Sequence, residues 1–150
     1  MSSKLVKLPF SILAVSGYEE NYPPEGLINS GSQGWQTERF CIFPQTVILA
    51  FDFGQCRIKK IQLLVHEFKI PRQVEFLAGA IDSNDLSNGT PKLHFQKLGV
   101  VDLVDNSHNS YKSRELKSIH VDFEATHLKV ILYKNYINAL NLYNQVLYIL

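Results

Sequence analysis

The sequence predicts an all-β fold, an antiparallel β-sandwich of the jelly-roll type, and two observations support this prediction. Apolar side chains recur at every second position in short runs, and turn residues separate these runs at regular intervals. The chain has 150 residues, a size that buries a core without disulfides or metals. We therefore expect a single jelly-roll domain over residues 1–150, in which each sheet buries one face against the other.

The individual runs have the length and alternation of strands. The N-terminal stretch "MSSKLVKLPFSILAVSG" is expected to form the first strand, because Pro9 and Ser11 interrupt the apolar run Leu8–Val15, which is too short for a signal peptide. In a second run, Thr46–Phe53, the side chains of Val47, Leu49, Phe51 and Phe53 point to one face. Four further alternating runs follow, over residues 60–66, 73–78, 118–123 and 127–132.

The segments between these runs are expected to be loops at the two ends of the sandwich, where function is often found. Three of them are long, at Ser16–Gly34, Asp82–Pro91 and Asp105–Ser113. The final segment, Tyr136–Leu150, fits a helix pattern and a strand pattern, and its asparagines and tyrosines favour the strand. Because this segment ends on the apolar run "VLYIL", we expect the domain to be the N-terminal part of a longer multidomain protein.

Composition argues against several classes of partner. Fifteen basic and fourteen acidic residues give a net charge of +1, whereas nucleic-acid binding normally needs a clear basic excess. No stretch approaches the roughly 18 apolar residues of a membrane span. Cys41 and Cys56 are expected to be free, buried thiols of a cytosolic protein.

No motif in the chain indicates catalysis, a cofactor or a metal. The sequence has no G-x-S-x-G elbow, and its five histidines lack metal-ligand spacing. A calcium cage built from Asp82, Asp85 and the carbonyls around Asn84 and Asn88 is conceivable, but turn chemistry explains the same residues. We therefore expect a protein that is not an enzyme.

Rigid features surround the only tryptophan. Trp35 either plugs the end of the core or is displayed to a ligand, and its neighbours Phe40 and Phe43 favour burial of the ring. Pro44 lacks an N–H and therefore belongs at the start of a strand. Gln45 follows it, and its side chain is expected to bond exposed backbone at this corner.

Candidate contacts with a protein partner are aromatic, cationic or amide side chains in or beside the loops. "YKSREL" places two cations and Tyr111 at a loop-to-strand junction, although one arginine there would also suit a clamp on a loop carbonyl. The basic cluster "RIKK", Arg57–Lys60, is interpreted as protection of a strand edge. The candidate partner-binding residues are Tyr18, Trp35, Arg39, Lys112, Arg114 and Asn135.

Two long segments carry a resemblance to known proteins. At "GWQTERFCIFPQTVILAFD" and "CRIKKIQLLVHEFKIPRQVEF" the sequence resembles a discoidin-like, or galactose-binding-like, jelly roll. It is similar more specifically to the N-terminal jelly-roll domain of the centrosomal protein of 104 kDa family, through "RFCIFPQ", "RELKSI" and further segments in order from Ser30 to Val146. The resemblance implies a β-sandwich at the front of a longer protein of the ciliary tip and centriole.

The resemblance also implies a function. The leading hypothesis is a non-catalytic protein-interaction domain of a microtubule-associated protein, located in the cytoskeleton at the centrosome, centriole and cilium tip. Its expected partners are centrosomal, ciliary or microtubule-associated proteins, with no nucleic acid and no membrane. The alternative is a small-ligand module for carbohydrate or calcium, as in some discoidin-like domains. Direct microtubule binding through "RIKK" is a third possibility.

Overall fold

The computed structural model describes residues 5–28, 34–87, 90–105, 107, 110–111 and 115–149. Within these ranges, no helix has the length and apolar character needed to cross a membrane. The elements are β1 (Phe10–Val15), a short 3₁₀ helix (Pro24–Leu27), β2 (Trp35–Gln36), β3 (Gln45–Phe51), β4 (Cys56–Val65), β5 (Gln73–Ser87), β6 (Thr90–Asp102), β7 (Glu115–Ala125), β8 (His127–Leu132) and β9 (Leu147–Ile149).

The described strands form two antiparallel sheets, which confirms the predicted β-sandwich. One sheet has the order β1-β3-β8-β5-β6 and the other the order β2-β9-β4-β7. The predicted alternation is visible in β3, where buried and half-buried residues alternate along the whole strand. The prediction that Phe53 continues this inward face is wrong, because the strand ends at Phe51 and Phe53 is exposed. The core between the sheets is built from inward-facing residues of both layers, among them Val47, Leu49, Ile58, Ile61, Leu63, Val74, Phe76, Val130 and Leu132.

Trp35 belongs to this core, which confirms the interpretation that its ring is buried. Its side chain has no exposed surface, and its indole N–H donates a hydrogen bond of 2.9 Å to the carbonyl oxygen of Gly17. The ring therefore fills the interior while its one polar atom is paired, as burial of an indole requires.

The corner that leads into β3 has the predicted construction. Pro44 immediately precedes the first residue of the strand. The side-chain amide of Gln45 donates to the carbonyl oxygen of Ile42 over 2.6 Å, and its carbonyl oxygen accepts the hydroxyl of Ser16 over 2.7 Å. The side chain thus bonds the backbone of the turn and ties it to the end of β1.

The prediction of a long loop at Asp82–Pro91 is wrong. β5 continues to Ser87 and β6 begins at Thr90. Asp82 lies opposite Lys92 and Leu86 opposite Pro91, and the register shifts between these two pairs. Polar residues remain in strands here because an antiparallel pair can face solvent. The candidate calcium residues Asp82 and Asp85, with the carbonyls around Asn84, fall at this interruption of the register. Asn88 lies outside the described residues.

The prediction of a strand over Tyr136–Leu150 holds only for its end, since β9 covers Leu147–Ile149. The asparagines before it hold turns. Asn138 Oδ1 accepts the backbone N–H groups of Leu140 (3.0 Å) and Asn141 (2.9 Å), and Asn141 Oδ1 accepts that of Gln145 (2.9 Å). Asparagine side chains that bond nearby backbone stabilise turns against a ladder, and this outweighed strand propensity here.

Cys41 and Cys56 are free, as predicted. They are half-buried and not fully enclosed. Burial raises the pKa of the Cys41 thiol, while a hydrogen bond with the side chain of Thr37 opposes this shift. A raised pKa keeps the thiol protonated at neutral pH and therefore a poor nucleophile.

Candidate protein-interaction surface

Three loops meet at the end of the sandwich where β3 begins. Their backbones are joined by hydrogen bonds from Glu19 N to Gln36 O (2.8 Å), from Thr37 N to Val146 O (2.9 Å) and from Phe40 N to Tyr143 O (2.7 Å). The last two of these bonds bring together segments that are more than one hundred residues apart in the chain. Loop segments bonded in this way form one continuous surface.

Large apolar side chains project from these loops. We call Phe40, Ile42, Leu142 and Tyr143 the apolar loop surface; their exposed fractions are 64%, 87%, 70% and 41%. The rings of Phe40 and Tyr143 pack edge to face, with their centroids 5.9 Å apart. Exposed apolar side chains that are grouped in this way are typical of interaction sites, whereas single ones are common on any protein.

Arg39 adds a cation at the border of the apolar loop surface. Its guanidinium lies over the ring of Tyr143, 4.4 Å from Cζ to the centroid, and its Nε is 3.3 Å from Glu19 Oε1. Arginine and tyrosine are favoured at protein interfaces because they combine flat contact area with directional polar atoms. The arrangement therefore suits contact with another protein.

A polar network holds the loops in place beneath this surface. Gln145 is buried, and its side-chain amide donates to Thr37 O over 2.8 Å and to Glu19 Oε2 over 3.2 Å. The hydroxyl oxygen of Thr37 accepts the N–H of Val146 over 2.9 Å. Because every loop takes part, the surface is ordered before any partner arrives, which lowers the entropic cost of binding.

Lys69 extends this network towards β2. Its ammonium donates to Gln36 Oε1 over 2.9 Å. Burial is the main cause that lowers the pKa of Lys69. The positive charge of Arg39 lowers this pKa further, whereas the negative charge of Glu19 raises it. Glu19 is thus the central acid among the cations of this end of the sandwich.

Two residues here have a left-handed backbone. Phe40 has φ of 52° and Asn144 has φ of 49°. Asparagine adopts this region readily, but for a phenylalanine it is strained. Strained conformations are retained where the surrounding structure fixes them, often at functional sites. At Phe40 the backbone N–H is held by the carbonyl oxygen of Tyr143, and the ring is exposed.

Tyr18 and Arg39, two of the six predicted contact residues, lie at this end of the sandwich. Tyr18 is 46% exposed and adjoins Glu19, the acid that Arg39 approaches. Lys112 and Arg114 lie outside the described residues, as does much of the predicted loop around them.

The prediction that Trp35 and Asn135 contact a partner is wrong, because neither has an exposed side chain. Asn135 forms a bridge with Pro71 between loop segments, and its amide donates to Tyr136 O over 3.0 Å. Its Oδ1 is buried and has no hydrogen-bond partner among the described residues. These two residues support the loops from below and are not available to a partner.

The residues that sequence reasoning missed are those of the apolar loop surface. Phe40 was considered only as a neighbour of Trp35, and its own ring is exposed on a backbone with positive φ. Nothing in the sequence pairs Phe40 with Tyr143. Within the described ranges, no three His, Cys, Asp or Glu side chains group in a way that would hold a metal ion.

Comparison with known proteins assigns the chain to a family. The sequence model of the family described as "Centrosomal protein CEP104, N-terminal domain" matches residues 34–150. The chain belongs to this family. The CEP104 family resemblance read from "RFCIFPQ" and "RELKSI" is therefore confirmed, and with it membership in a family of centrosomal proteins.

A curated CEP104 relative from Homo sapiens, the "Centrosomal protein of 104 kDa", is 36% identical over 149 residues. The alignment covers 93% of this chain but only 15% of that relative. The chain thus corresponds to a small part of the length of this CEP104 protein.

Solved structures share the fold of this CEP104-family domain. XRCC1, in a complex with the catalytic domain of DNA polymerase β, superimposes with a TM-score of 0.62 at 11% identity, covering 84% of this chain and 85% of that one. A CBM32 module from Clostridium perfringens, in complex with GalNAc-β-1,3-galactose, gives a TM-score of 0.56 at 16% identity, covering 94% and 95%. At such low identity these matches show the discoidin-like sandwich alone.

Proposed function

We propose that this chain is a non-catalytic protein-interaction domain of a centrosomal and ciliary protein that associates with microtubules. It acts at the ciliary tip and in cilium assembly, as the N-terminal domain of a longer chain. Membership in the CEP104 family supports the location, and the single observation that supports the activity is the apolar loop surface bordered by Arg39. The partner is a protein, and neither nucleic acid nor membrane is required.

The apolar loop surface favours a protein partner for a physical reason. Phe40 and Tyr143 offer flat aromatic area on a fixed backbone, so that little conformational entropy is lost on binding. Burial of apolar area contributes about 25 cal/mol per Å² before the costs of association. Arg39 supplies a directional contact at the border, where charges act on specificity more than on affinity.

Proximity labelling in ciliated cells tests this proposal. Three forms of the chain are compared, each fused to the labelling enzyme: the wild type, a double variant with Phe40→Asp and Ile42→Asp, and Phe53→Asp. We expect the wild type to label centrosomal and ciliary proteins and the double variant to lose them, since two charges would disrupt the apolar loop surface. Recovery of the same proteins by all three forms would contradict the proposal.

Phe53→Asp is the matched control. Phe53 is 76% exposed and follows the last residue of β3, whereas Phe40 and Ile42 precede the first. Seven residues of strand separate these ends by about 23 Å. The control therefore exchanges an exposed aromatic residue for an acid far from the apolar loop surface. Thermal unfolding of each variant establishes that a loss of labelling does not result from a loss of folding.

A further inference from the structure

One side of β4 is open over most of its length. β7 pairs with β4 from Cys56 to Val65, but β9 pairs with it on the other side only at Leu64 and Val65. Among the described residues, no strand pairs with this second side between Cys56 and Leu63. Unpaired backbone groups on a strand edge are a template for another strand.

A groove of about 580 Å³ runs beside this open side. Six consecutive residues of β4, Arg57–Gln62, line it. Successive side chains of a strand point to opposite faces, so a cavity that touches all six lies along the edge of the strand and not over one face. The N-terminal segment Leu5–Leu8, which includes Lys7, forms another part of its lining, and Phe10, Leu49, Phe51 and Leu128 complete it.

Two of the three cations of β4, Arg57 and Lys59, do not obstruct this edge. Arg57 Nε is 2.8 Å from Asp122 Oδ1, and Lys59 Nζ is 3.0 Å from Asp122 Oδ2. Asp122 lies on β7, so both cations are drawn towards the paired side of β4. Protection of a strand edge by cations requires that they stand over the open side. The interpretation of "RIKK" as edge protection stays a prediction, and it now depends on Lys60, which lines the groove.

The direction of β9 identifies the occupant. β9 is antiparallel to β4, with Tyr148 opposite Val65 and Ile149 opposite Leu64. Each further residue would therefore lie opposite an earlier residue of β4, first Leu63, then Gln62, then Ile61. A strand that continues β9 would run along the open side and through the groove.

We propose that the open side of β4 is a strand-acceptor site, and that its occupant is the segment that continues β9 beyond Leu150. This inference rests on the proposal that the domain is part of a longer chain. The segment completes β9 as a full-length strand between β2 and β4 and fills the groove. The register also fixes its chemistry. Residues opposite each other point to the same face, and Ile61 is buried, so the residue opposite Ile61 is apolar. The residues immediately before and after this apolar residue point to the opposite face of the sheet.

Hydrogen exchange tests the site. The 150-residue chain is compared with a form lengthened by the residues that the natural coding sequence places after Leu150. We expect slower exchange, by about tenfold or more, at the amides of β4 that point to the open side. The amides of β6, the outer strand of the other sheet, serve as the control and keep their rates.

A substitution in the added segment makes the test specific. Aspartate at the position opposite Ile61 would place a charge in the core, so we expect it to abolish the added protection while the rest of the sandwich stays folded. A synthetic peptide of the added residues, supplied to the 150-residue chain, is expected to restore the protection, and the same peptide with aspartate is not.

Several results would overturn the proposal. The first is an unchanged rate of hydrogen exchange at the β4 amides in the lengthened form. The second is a natural coding sequence that ends at Leu150 or that places a charged residue opposite Ile61. If β4 is already protected in the 150-residue chain and deletion of residues 1–8 removes that protection, the N-terminal segment is the occupant instead. All these results leave the apolar loop surface untouched, so they are distinguishable from failure of the proposed function.

Discussion

The guanidinium of Arg39 lies over the ring of Tyr143, with 4.4 Å between Cζ and the ring centroid. The same ring meets Phe40 edge to face, and the backbone of Phe40 donates to the carbonyl oxygen of Tyr143. One tyrosine thus joins two loops through its backbone, its ring edge and its ring face. Its contacts determine the shape of the candidate interaction surface.

Arg39 and Tyr143 are expected to be coupled energetically. A double-mutant cycle with Arg39→Ala and Tyr143→Ala, measured by urea unfolding, should give a coupling of about 0.5–1 kcal/mol, because the pair is exposed and partly screened by water. Arg57→Ala combined with Tyr143→Ala is the control, since Arg57 pairs with Asp122 on a different part of the domain. Additive effects for Arg39 and Tyr143 would contradict the contact.

Trp35 is expected to be a major contributor to stability. Trp35→Phe removes the hydrogen bond to Gly17 O from a fully buried site and should cost about 1–3 kcal/mol, while Trp35→Ala adds a cavity and should cost about 3–5 kcal/mol. Unfolding is followed by far-ultraviolet circular dichroism, because Trp35 is the only tryptophan. Tyr18→Phe, at an exposed ring nearby, should change stability by less than about 0.5 kcal/mol.

Gly79 permits a close approach within the five-stranded sheet. A Cβ at this position would lie 2.8 Å from His127 Cβ and 2.8 Å from Phe95 Cε1. We expect Gly79→Ala to reduce the free energy of unfolding by about 1–3 kcal/mol in a denaturant titration. Gly99→Ala is the matched control, because nothing lies within 4 Å of its added Cβ. Equal stability of the two variants would mean that the sheet yields at Gly79 without cost.

Glu75 is expected to make stability depend on acid pH. The hydroxyl of Tyr133 donates to Glu75 Oε1 over 2.7 Å, and Lys97 Nζ lies 3.2 Å from Oε2. The bond from Tyr133 and, to a smaller extent, Lys97 lower the pKa of Glu75. A carboxyl whose folded pKa lies below its unfolded one stabilises the fold above the unfolded value, and this contribution is lost as the pH falls through the folded value.

Urea unfolding between about pH 7 and about pH 3 measures this dependence. Glu75→Gln should lose stability relative to the wild type at neutral pH and show a shallower decline towards acid. Tyr133→Phe should show part of the same change, because it removes the first cause of the lowered pKa. Parallel pH profiles for wild type and Glu75→Gln would show that Glu75 makes no such contribution.

The sequence predicted the sandwich well because burial on one face imposes a period of two, and that period is local. Val47, Leu49 and Phe51 show it without reference to any other part of the chain. The buried Trp35 and the corner at Gln45 were predictable for the same reason, since ring size and the missing N–H of Pro44 are properties of neighbouring residues.

The candidate surface was less predictable because it depends on contacts between distant segments. Arg39 could be named from its loop, but the ring that it covers belongs to Tyr143, and only the folded chain brings them together. The outward direction of Phe40 depends on one backbone angle that the pattern of apolar residues does not encode. Polar composition was misleading at Asp82–Ser87, where a strand was taken for a loop.

The long hairpin of β5 and β6 has a practical consequence. β5 pairs with β8 only as far as Gly79, whereas its pairing with β6 continues to Ser87 opposite Thr90. Among the described residues, the part of β5 beyond Gly79 therefore pairs with β6 alone. A fluorophore or affinity tag inserted between Ser87 and Thr90 is expected to leave both layers intact, which gives cell biologists a place to mark this protein without obscuring the end that we expect it to use.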